Sequence, residues 1–311
     1  MNNLKKIGLT ALAGSLVATS VAYSGELAVS GSAGMNFKNY SDSSTGKAVR
    51  MGNSVFFKGS GETDGGLNVN LSFELDQGTP AGDGPFDSHF VSVGNDTLGT
   101  LTVHGHGGSN AAAALDTTAA GDLWDNTLMN TAATPAAGRN APFSSKSGDN
   151  LMVYSLPTMI DGLAVAASYQ AANSSGTGSS AYGLTYTGLE GLSVSYGSGE
   201  SDDVAGAHGD QDIYKASYVY GSVTAGVSYN DYDSSTNSED QTVTAFGLSY
   251  TVSDQISVSY GEETIDRADQ HEDIEVTGVS VSYTSGGMTA SVSQTEAESS
   301  EHVANRDKEL W

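Results

Sequence analysis

The chain has no cysteine and little positive charge. Its 311 residues include 12 lysines and arginines against 37 acidic residues, so its formal net charge is −25 at pH 7. The absence of cysteine excludes disulfides, thiol nucleophiles and thiolate metal ligands. The acidic excess argues against a nucleic-acid partner, because binding to phosphates needs a face rich in lysine and arginine.

Long hydrophobic runs are also scarce. Beyond the first two dozen residues, no stretch approaches the roughly 18 apolar residues of a transmembrane helix. The mean hydropathy is −0.25, which excludes a bundle of such helices. The 39 glycines follow no three-residue period, so a collagen-like chain is excluded as well.

Residues Met1–Ser24 are typical of a secretory signal peptide. Lys5 and Lys6 precede an uncharged apolar run, and the small residues Ala22 and Ser24 follow it. Cleavage after Ser24 would leave 311 − 24 = 287 residues, 25–311, with a net charge of 10 − 37 = −27. An exported chain without cysteine indicates the bacterial envelope.

The mature chain alternates apolar and polar residues with a period of two, as do strands with one apolar and one wet face. In the segment Leu67–Leu75, for example, every odd-numbered residue is apolar. Sixteen such segments can be counted, and the prolines fall between them because proline cannot donate to a strand ladder. These prolines are Pro80, Pro85, Pro135, Pro142 and Pro157.

The connections between the segments alternate in length. Short turns follow the even segments: Ser60–Gly66, Gly94–Thr97, Pro157–Gly162, Thr187–Gly191, Gly221–Ser222, Thr251–Asp254 and Thr284–Gly287. Longer, mostly acidic loops follow the odd ones, among them Asn39–Gly52, Gln77–Phe86, Gly199–Gln211 and Thr264–Glu272. The pattern predicts an all-β fold, a transmembrane up-and-down antiparallel β-barrel of about 16 strands with periplasmic turns and external loops.

The tyrosines predict two aromatic girdles at the membrane interfaces. One set lies beside the short turns and is assigned to the periplasmic interface: Tyr186, Tyr220, Tyr250 and Tyr283. The other set is interpreted as closing odd segments beneath the long loops: Tyr169, Tyr196, Tyr229 and Tyr260. Tyrosine prefers such interfaces because its ring is apolar and its hydroxyl is wet.

No tyrosine occurs between Tyr40 and Tyr154, although strands 2 to 5 keep aliphatic and phenylalanine residues on their outer face. A wall that meets another subunit instead of lipid headgroups needs no girdle. We therefore predict that strands 1 to 5, with the end of the chain, form an oligomer interface.

Three stretches resemble the general diffusion porins of Gram-negative bacteria, particularly the sixteen-stranded porins of alphaproteobacteria. They are Asn53–Leu75, Phe90–Gly105 and Asn150–Tyr169. In topology, the resemblance extends over the whole mature chain. It implies a homotrimer of water-filled pores in the outer membrane, in contact with lipid and lipopolysaccharide, through which small polar solutes and ions diffuse. It also implies a third external loop that folds inward to narrow each channel.

Gly105–Gly148 is the candidate for that loop, because a structureless stretch of 44 residues is uncommon unless it is functional. Its acids form one predicted wall of the constriction: Asp116, Asp122 and Asp125. The facing basic wall is predicted from Lys38, Arg50 and Lys58. Lys38 and Lys58 alternate with outward phenylalanines and so point into the lumen; facing lipid would cost roughly 2–4 kcal/mol each. A transverse field between the walls would screen solutes by size and charge; alternatively, these are scattered charges without a special role.

Two departures from the porin pattern affect the prediction. Strand 5 ends in His104-Gly105-His106 where the family is usually basic, which favours a cation-preferring pore; without a third ligand, we predict no metal site there. Residues 305–310 look like the start of strand 16, about ten residues short of the usual last strand of a porin. We expect no cofactor, apart from weakly bound Ca²⁺ or Mg²⁺ at the acidic loops.

Other functions remain as alternatives. A substrate-specific outer-membrane channel is the nearest, and the sequence does not separate it from a general porin. A secreted, acidic, calcium-binding adhesin is less favoured, because a solenoid would repeat in matched coils whereas these hairpins have unequal connections. An enzyme is not expected, since no nucleophile motif or paired carboxylate stands out.

Overall fold

The computed structural model describes residues 26–41, 46–76, 86–124, 147–171, 178–202, 208–235 and 240–311. Sixteen of their strands form one sheet in chain order, and each is antiparallel to its neighbours. The strands are β1 Glu26–Asn39, β2 Lys47–Glu62, β3 Asn68–Asp76, β4 Ser88–Asn95, β5 Gly99–His106, β6 Leu151–Ser155, β7 Leu163–Gln170, β8 Ser179–Tyr186, β9 Leu192–Asp202, β10 His208–Tyr220, β11 Val223–Ser234, β12 Gln241–Thr251, β13 Ile256–Arg267, β14 Ile274–Ser285, β15 Met288–Glu298 and β16 Lys308–Leu310. The predicted all-β class and strand number are confirmed.

The remaining regular structure is short. Gly108–Ser109 pairs with Ser147–Gly148 in a two-stranded ribbon beyond the end of β5. Two 3₁₀ turns cover Ala113–Leu115 and Ser300–His302. Within the described ranges, we find no helix that is long and apolar enough to span a membrane. The predicted signal peptide lies outside the described residues.

The sheet closes into a barrel at the end that carries the longer connections. β16 pairs with Thr295–Ala297 of β15, and Leu310 forms a bridge with Tyr40 just beyond β1. Three backbone hydrogen bonds cross the seam: Asn39 N donates to Trp311 O at 2.9 Å, Trp311 N donates to Asn39 O at 3.0 Å, and Ser41 N donates to Glu309 O at 2.8 Å. The sixteenth strand begins at Lys308, within the predicted stretch 305–310 but three residues later than its start.

The strand register puts apolar side chains on the outside of the barrel. Leu71 of β3, for example, lies between Gly59 and Val91, whereas its neighbour Ser72 lies between Lys58 and Phe90. Because successive residues point to opposite faces, the odd residues of β3 make the outer wall and the even ones line the lumen. The outer wall is apolar and exposed, as a surface facing hydrocarbon requires.

The interpretation that the second set of tyrosines ends its strands is wrong for three of them. β9, β11 and β13 continue beyond Tyr196, Tyr229 and Tyr260 to Asp202, Ser234 and Arg267. The alternation of apolar and polar residues stops there because the outer faces of these extensions are polar, as at Glu200, Asp231 and Glu262. Tyr196 and Tyr229 are joined by Tyr214 of β10 in a row of neighbouring rings, with centroids 5.0 and 6.3 Å apart.

Parts of three predicted loops also lie in strands: residues 47–52, residues 199–202 with 208–211, and residues 264–267. Asp210 and Asp212 belong to β10 and pair with Asp233 and Asp231 of β11. Their parity places them on the outer face, above the row of tyrosines. The external hairpins are thus longer, and their connecting loops shorter, than the sequence predicts.

Candidate functional site

A segment of the connection between β5 and β6 runs along the inner wall of the barrel. Of its described residues, those from 111 to 124 contact lumen-facing residues of strands from β7 to β14. We call residues 110–124 the inner loop. The predicted inward fold of the long third loop is thereby confirmed for these residues, and residues 125–146 lie outside the described ranges.

The inner loop begins in a buried turn. Asn110 is 1% exposed, and its Oδ1 accepts hydrogen bonds from Ala112 N at 3.0 Å and Ala113 N at 2.7 Å. Ala111 N donates to Ser168 Oγ of β7 at 2.9 Å. Because these backbone donors are satisfied, the loop can leave solvent at this point without an unpaired polar group.

Two further bonds fix the middle of the inner loop. Lys215 of β10 donates from Nζ to Thr117 O. Ala119 N donates to Ser228 Oγ of β11 at 2.9 Å. Each wall residue faces the lumen, so the strands present polar groups at the height where the loop backbone passes.

Glu263 of β13 is the main anchor of the last part of the inner loop. It is 1% exposed, and its carboxylate accepts hydrogen bonds from Thr118 Oγ1 and from Trp124 N, the latter at 3.2 Å. Thr118 and Asp122 close the intervening turn: Thr118 N donates to Asp122 Oδ1 at 2.8 Å, and Asp122 N donates to Thr118 Oγ1 at 3.0 Å. One buried carboxylate therefore holds both ends of this turn.

Apolar contacts support the two ends of the inner loop. At its start, Ala111, Ala112 and Leu115 pack with Ala181 and Ile213 of the wall. At its end, Leu123 and Trp124 pack on a second apolar cluster inside the barrel: Tyr40, Val243, Ile265, Ile274, Val276, Ala297 and Leu310. The loop is therefore held by hydrogen bonds and by apolar burial, both of which restrict its position.

The predicted basic residues lie on the inner face of β1 and β2. Lys58 Nζ lies 5.1 Å from the centroid of the Phe56 ring, which is also lumen-facing. Arg50 pairs in register with Asn36. Lys38 lines a cavity of about 450 Å³ together with Asp122, Leu123 and Trp124 of the inner loop. Of the predicted charges, the structure thus brings Lys38 and Asp122 to one space.

The predicted acidic residues are also partly placed. Asp116 and Asp122 lie in the inner loop and are close enough to Lys215 to interact electrostatically. Burial and, to a smaller extent, the charge of Asp122 raise the pKa of the Asp116 carboxyl to about 6, although Lys215 opposes the shift. Asp125 lies outside the described residues.

Sequence reasoning missed the wall residues that hold the inner loop. Lys215 and Glu263 both alternate with outward tyrosines, Tyr214 and Tyr260, so the parity argument applied to Lys38 would have placed them in the lumen. Their loop partners follow no sequence pattern, because those contacts join positions about a hundred residues apart or more.

The histidines of strand 5 are separated in the structure. His106 Nδ1 lies 2.6 Å from Asp149 Oδ1, whereas His104 lies next to Phe90, with ring centroids 5.5 Å apart. In the described part of the chain, one group of three acids brings its oxygen atoms within 4.8 Å of one another: Glu74, Asp76 and Asp87.

Comparisons with known proteins agree with this architecture. A family model described as Gram-negative porin matches residues 8–291. The chain is similar to an anion-selective porin from Comamonas acidovorans, with TM-score 0.70 and 15% identity over 92% of this chain and 97% of that one. It is similar to the trimer form of OmpT of Vibrio cholerae, with TM-score 0.70 and 14% identity over the same shares. A mutant of Rh. blastica porin matches with TM-score 0.60 and 14% identity, covering 92% of this chain and 97% of that one. No curated protein sequence gives a significant match.

Proposed function

The chain belongs to the Gram-negative porin family and is an outer-membrane β-barrel channel, and we propose that it lets small hydrophilic solutes and ions diffuse passively, with a preference for cations. The observation that carries the proposal is the inner loop, which narrows the lumen of a barrel wide enough to conduct. A barrel of 16 strands is wide enough to leave an aqueous channel. We assign transport, and no catalysis, to the chain.

The proposed selectivity comes from charges on two sides of the lumen. Asp116 and Asp122 lie on the inner loop, and Lys38, Arg50 and Lys58 lie on the inner face of β1 and β2. Such opposed charges create a field across the pore that orients polar solutes and discriminates ions. The excess of acids over bases in the chain favours cations over anions at the entrance.

The chain's environment is proposed from the same features. Residues 1–24 would be the signal peptide. The outer faces of β1 to β5 are apolar without tyrosine and would form the interface of a homotrimer, whereas the tyrosine-bearing wall would face lipid and lipopolysaccharide. The outward aspartates of β10 and β11 would recruit Ca²⁺ or Mg²⁺ weakly, without a dedicated cofactor.

Planar-bilayer recording tests the channel function. Heat-sensitive oligomers extracted in detergent are expected to insert with stepwise, ohmic conductance. Folded, membrane-embedded protein that gives no steps would contradict the proposal. Block of the current by one solute at low concentration would instead identify a substrate-specific channel.

Neutralising the basic wall is expected to increase cation preference. In the double variant Lys38→Gln/Lys58→Gln, the zero-current potential in a KCl gradient should shift further toward the value for a purely K⁺-conducting pore. The reason is that two positive charges are removed from the pore. Asp122→Asn should shift it the opposite way. Lys47→Gln is the matched control, since Lys47 lies at the exposed end of β2 with the parity of its outer face. Equal potentials for the double variant and this control would remove Lys38 and Lys58 from the selectivity region.

Acidification is expected to weaken cation preference around pH 6. The pKa of Asp116 is raised to about 6, so its carboxyl is mostly charged at pH 7 and mostly protonated at pH 5. The inner loop therefore loses up to one negative charge as pH falls through this window. Zero-current potentials at pH 5, 6 and 7 measure the effect, and Asp116→Asn should flatten the profile between pH 5 and 7. An identical profile in wild type and Asp116→Asn would assign the titration elsewhere.

A further inference from the structure

We propose that a row of glycines on the inner wall is the seat of the inner loop, and that this seat sets how far the loop reaches into the channel. The inference rests on the proposed porin function and deepens it. The glycine row consists of Gly183 of β8, Gly197 of β9, Gly226 of β11, Gly247 of β12, Gly261 of β13 and Gly278 of β14. Each member faces the lumen beneath the inner loop.

The row has two parts, separated by β10. Gly183 pairs directly with Gly197. Gly226, Gly247, Gly261 and Gly278 pair in succession across four strands. Directly opposed side chains on neighbouring strands lie about 4.5–5.5 Å apart, so a run of paired glycines removes a line of side chains. What remains is a shallow groove of bare backbone.

The inner loop fills this groove so closely that a side chain would collide with it. A Cβ atom on Gly247 would overlap Ala119 O, and one on Gly183 would overlap Ala111 O. A Cβ on Gly261 would lie 2.8 Å from Ala120 Cβ. Glycine lets two backbones approach at distances that every other residue prevents. The close approach of the loop therefore depends on glycine at these positions.

The opposite wall shows that paired glycines alone do not make a seat. Gly34 of β1 and Gly52 of β2 also pair directly and share the parity of lumen-facing Lys38. A Cβ on either would meet no atom within 4 Å. These two positions add the same methyl group to the lumen without touching the inner loop, which makes them matched controls.

The contact distances predict a graded response. A Cβ on Gly226 would lie 3.4 Å from Ala119 Cβ, which is an ordinary contact, whereas Gly261 and Gly247 allow progressively less room. Since a carbon and a carbonyl oxygen rarely approach closer than about 3.3 Å, Gly247→Ala must move the loop by roughly 1 Å or more. The carboxylate of Glu263 still holds Thr118 and Trp124 on either side, so the loop is expected to shift toward Lys38 without detaching.

Single-channel conductance of alanine variants tests the seat. Gly247→Ala is expected to lose conductance on the order of tens of per cent, because current through a water-filled barrel follows the width of its narrowest part. Gly261→Ala should lose less, Gly226→Ala little, and Gly52→Ala should match wild type. Heat-dependent gel mobility will show whether each variant is folded. If Gly247→Ala fails to fold, the conductance of Gly261→Ala is compared with that of Gly226→Ala instead.

A background without the loop separates a seat from simple filling of the lumen. With residues 110–146 replaced by Asn-Gly, Gly247→Ala should no longer change the conductance. The seat is refuted if Gly247→Ala and Gly261→Ala conduct like Gly52→Ala, or if the loss persists in the loop-free background. Absence of conductance steps in wild type would instead refute the channel function, so the two failures are distinguishable.

Discussion

Replacing residues 110–146 by an Asn-Gly turn is expected to raise the single-channel conductance severalfold and to admit larger solutes. The inner loop follows the wall from β7 to β14, and its removal would leave the full width of a sixteen-stranded barrel, which normally encloses an aqueous channel. Bilayer recording and liposome swelling with sugars of increasing size would measure the two effects.

The structure defines where this excision is tolerated. Ser109 and Ser147 are directly paired in the short ribbon, so a two-residue turn can join them. Replacing the exposed loop 268–273 at the same end of the barrel is the control, and it should leave the conductance unchanged. A folded excision variant that conducts like wild type would show that the loop does not limit the channel.

Glu263→Ala is expected to release the end of the inner loop and to give the second largest effect. The substitution leaves Thr118 Oγ1 and Trp124 N without their acceptor, at a cost of about 1–3 kcal/mol for each buried group left unpaired. A loop freed at this end should fluctuate in the lumen, so we expect a larger and noisier current. Chymotrypsin should also cleave faster after Trp124.

Glu262→Ala is the matched control for this substitution. Glu262 is adjacent in β13 but lies on the outer face, where it accepts a hydrogen bond from the Tyr260 hydroxyl. Both variants remove one carboxylate from the same strand, and only one of them touches the loop. Indistinguishable currents and cleavage rates for Glu262→Ala and Glu263→Ala would contradict the anchoring role of Glu263.

The barrel could be predicted from the sequence because its strands obey a local rule. Alternation such as that of Leu71 and Ser72 predicts that a segment is a strand and which face each residue occupies. The short turns predict that consecutive strands are antiparallel neighbours. The rule fails beyond Tyr196, Tyr229 and Tyr260, where the outer face becomes polar and the alternation stops although the strands continue. Membrane thickness, and not strand length, sets the range of the pattern.

The candidate site was only partly predictable for a related reason. The inward direction of Lys38 and Lys58 follows from parity, and Lys215 and Glu263 would have followed from the same argument. The close packing of Ala119 against Gly247 could not be predicted by parity, because it joins residues distant in the chain and depends on the shape of the backbone. The sequence alone does not indicate which residue will pack against a glycine in a strand.

The closure of the barrel beside Tyr40 implies an order of folding. Neighbouring strands in the sheet are also neighbours in the chain, so each hairpin can zip up locally, whereas Glu309 and Ser41 meet across 268 positions. Closing so long a loop costs entropy that grows with its logarithm, and such non-local contacts are slow to form. We therefore expect the ring to shut last, after a curved sheet has already assembled strand by strand.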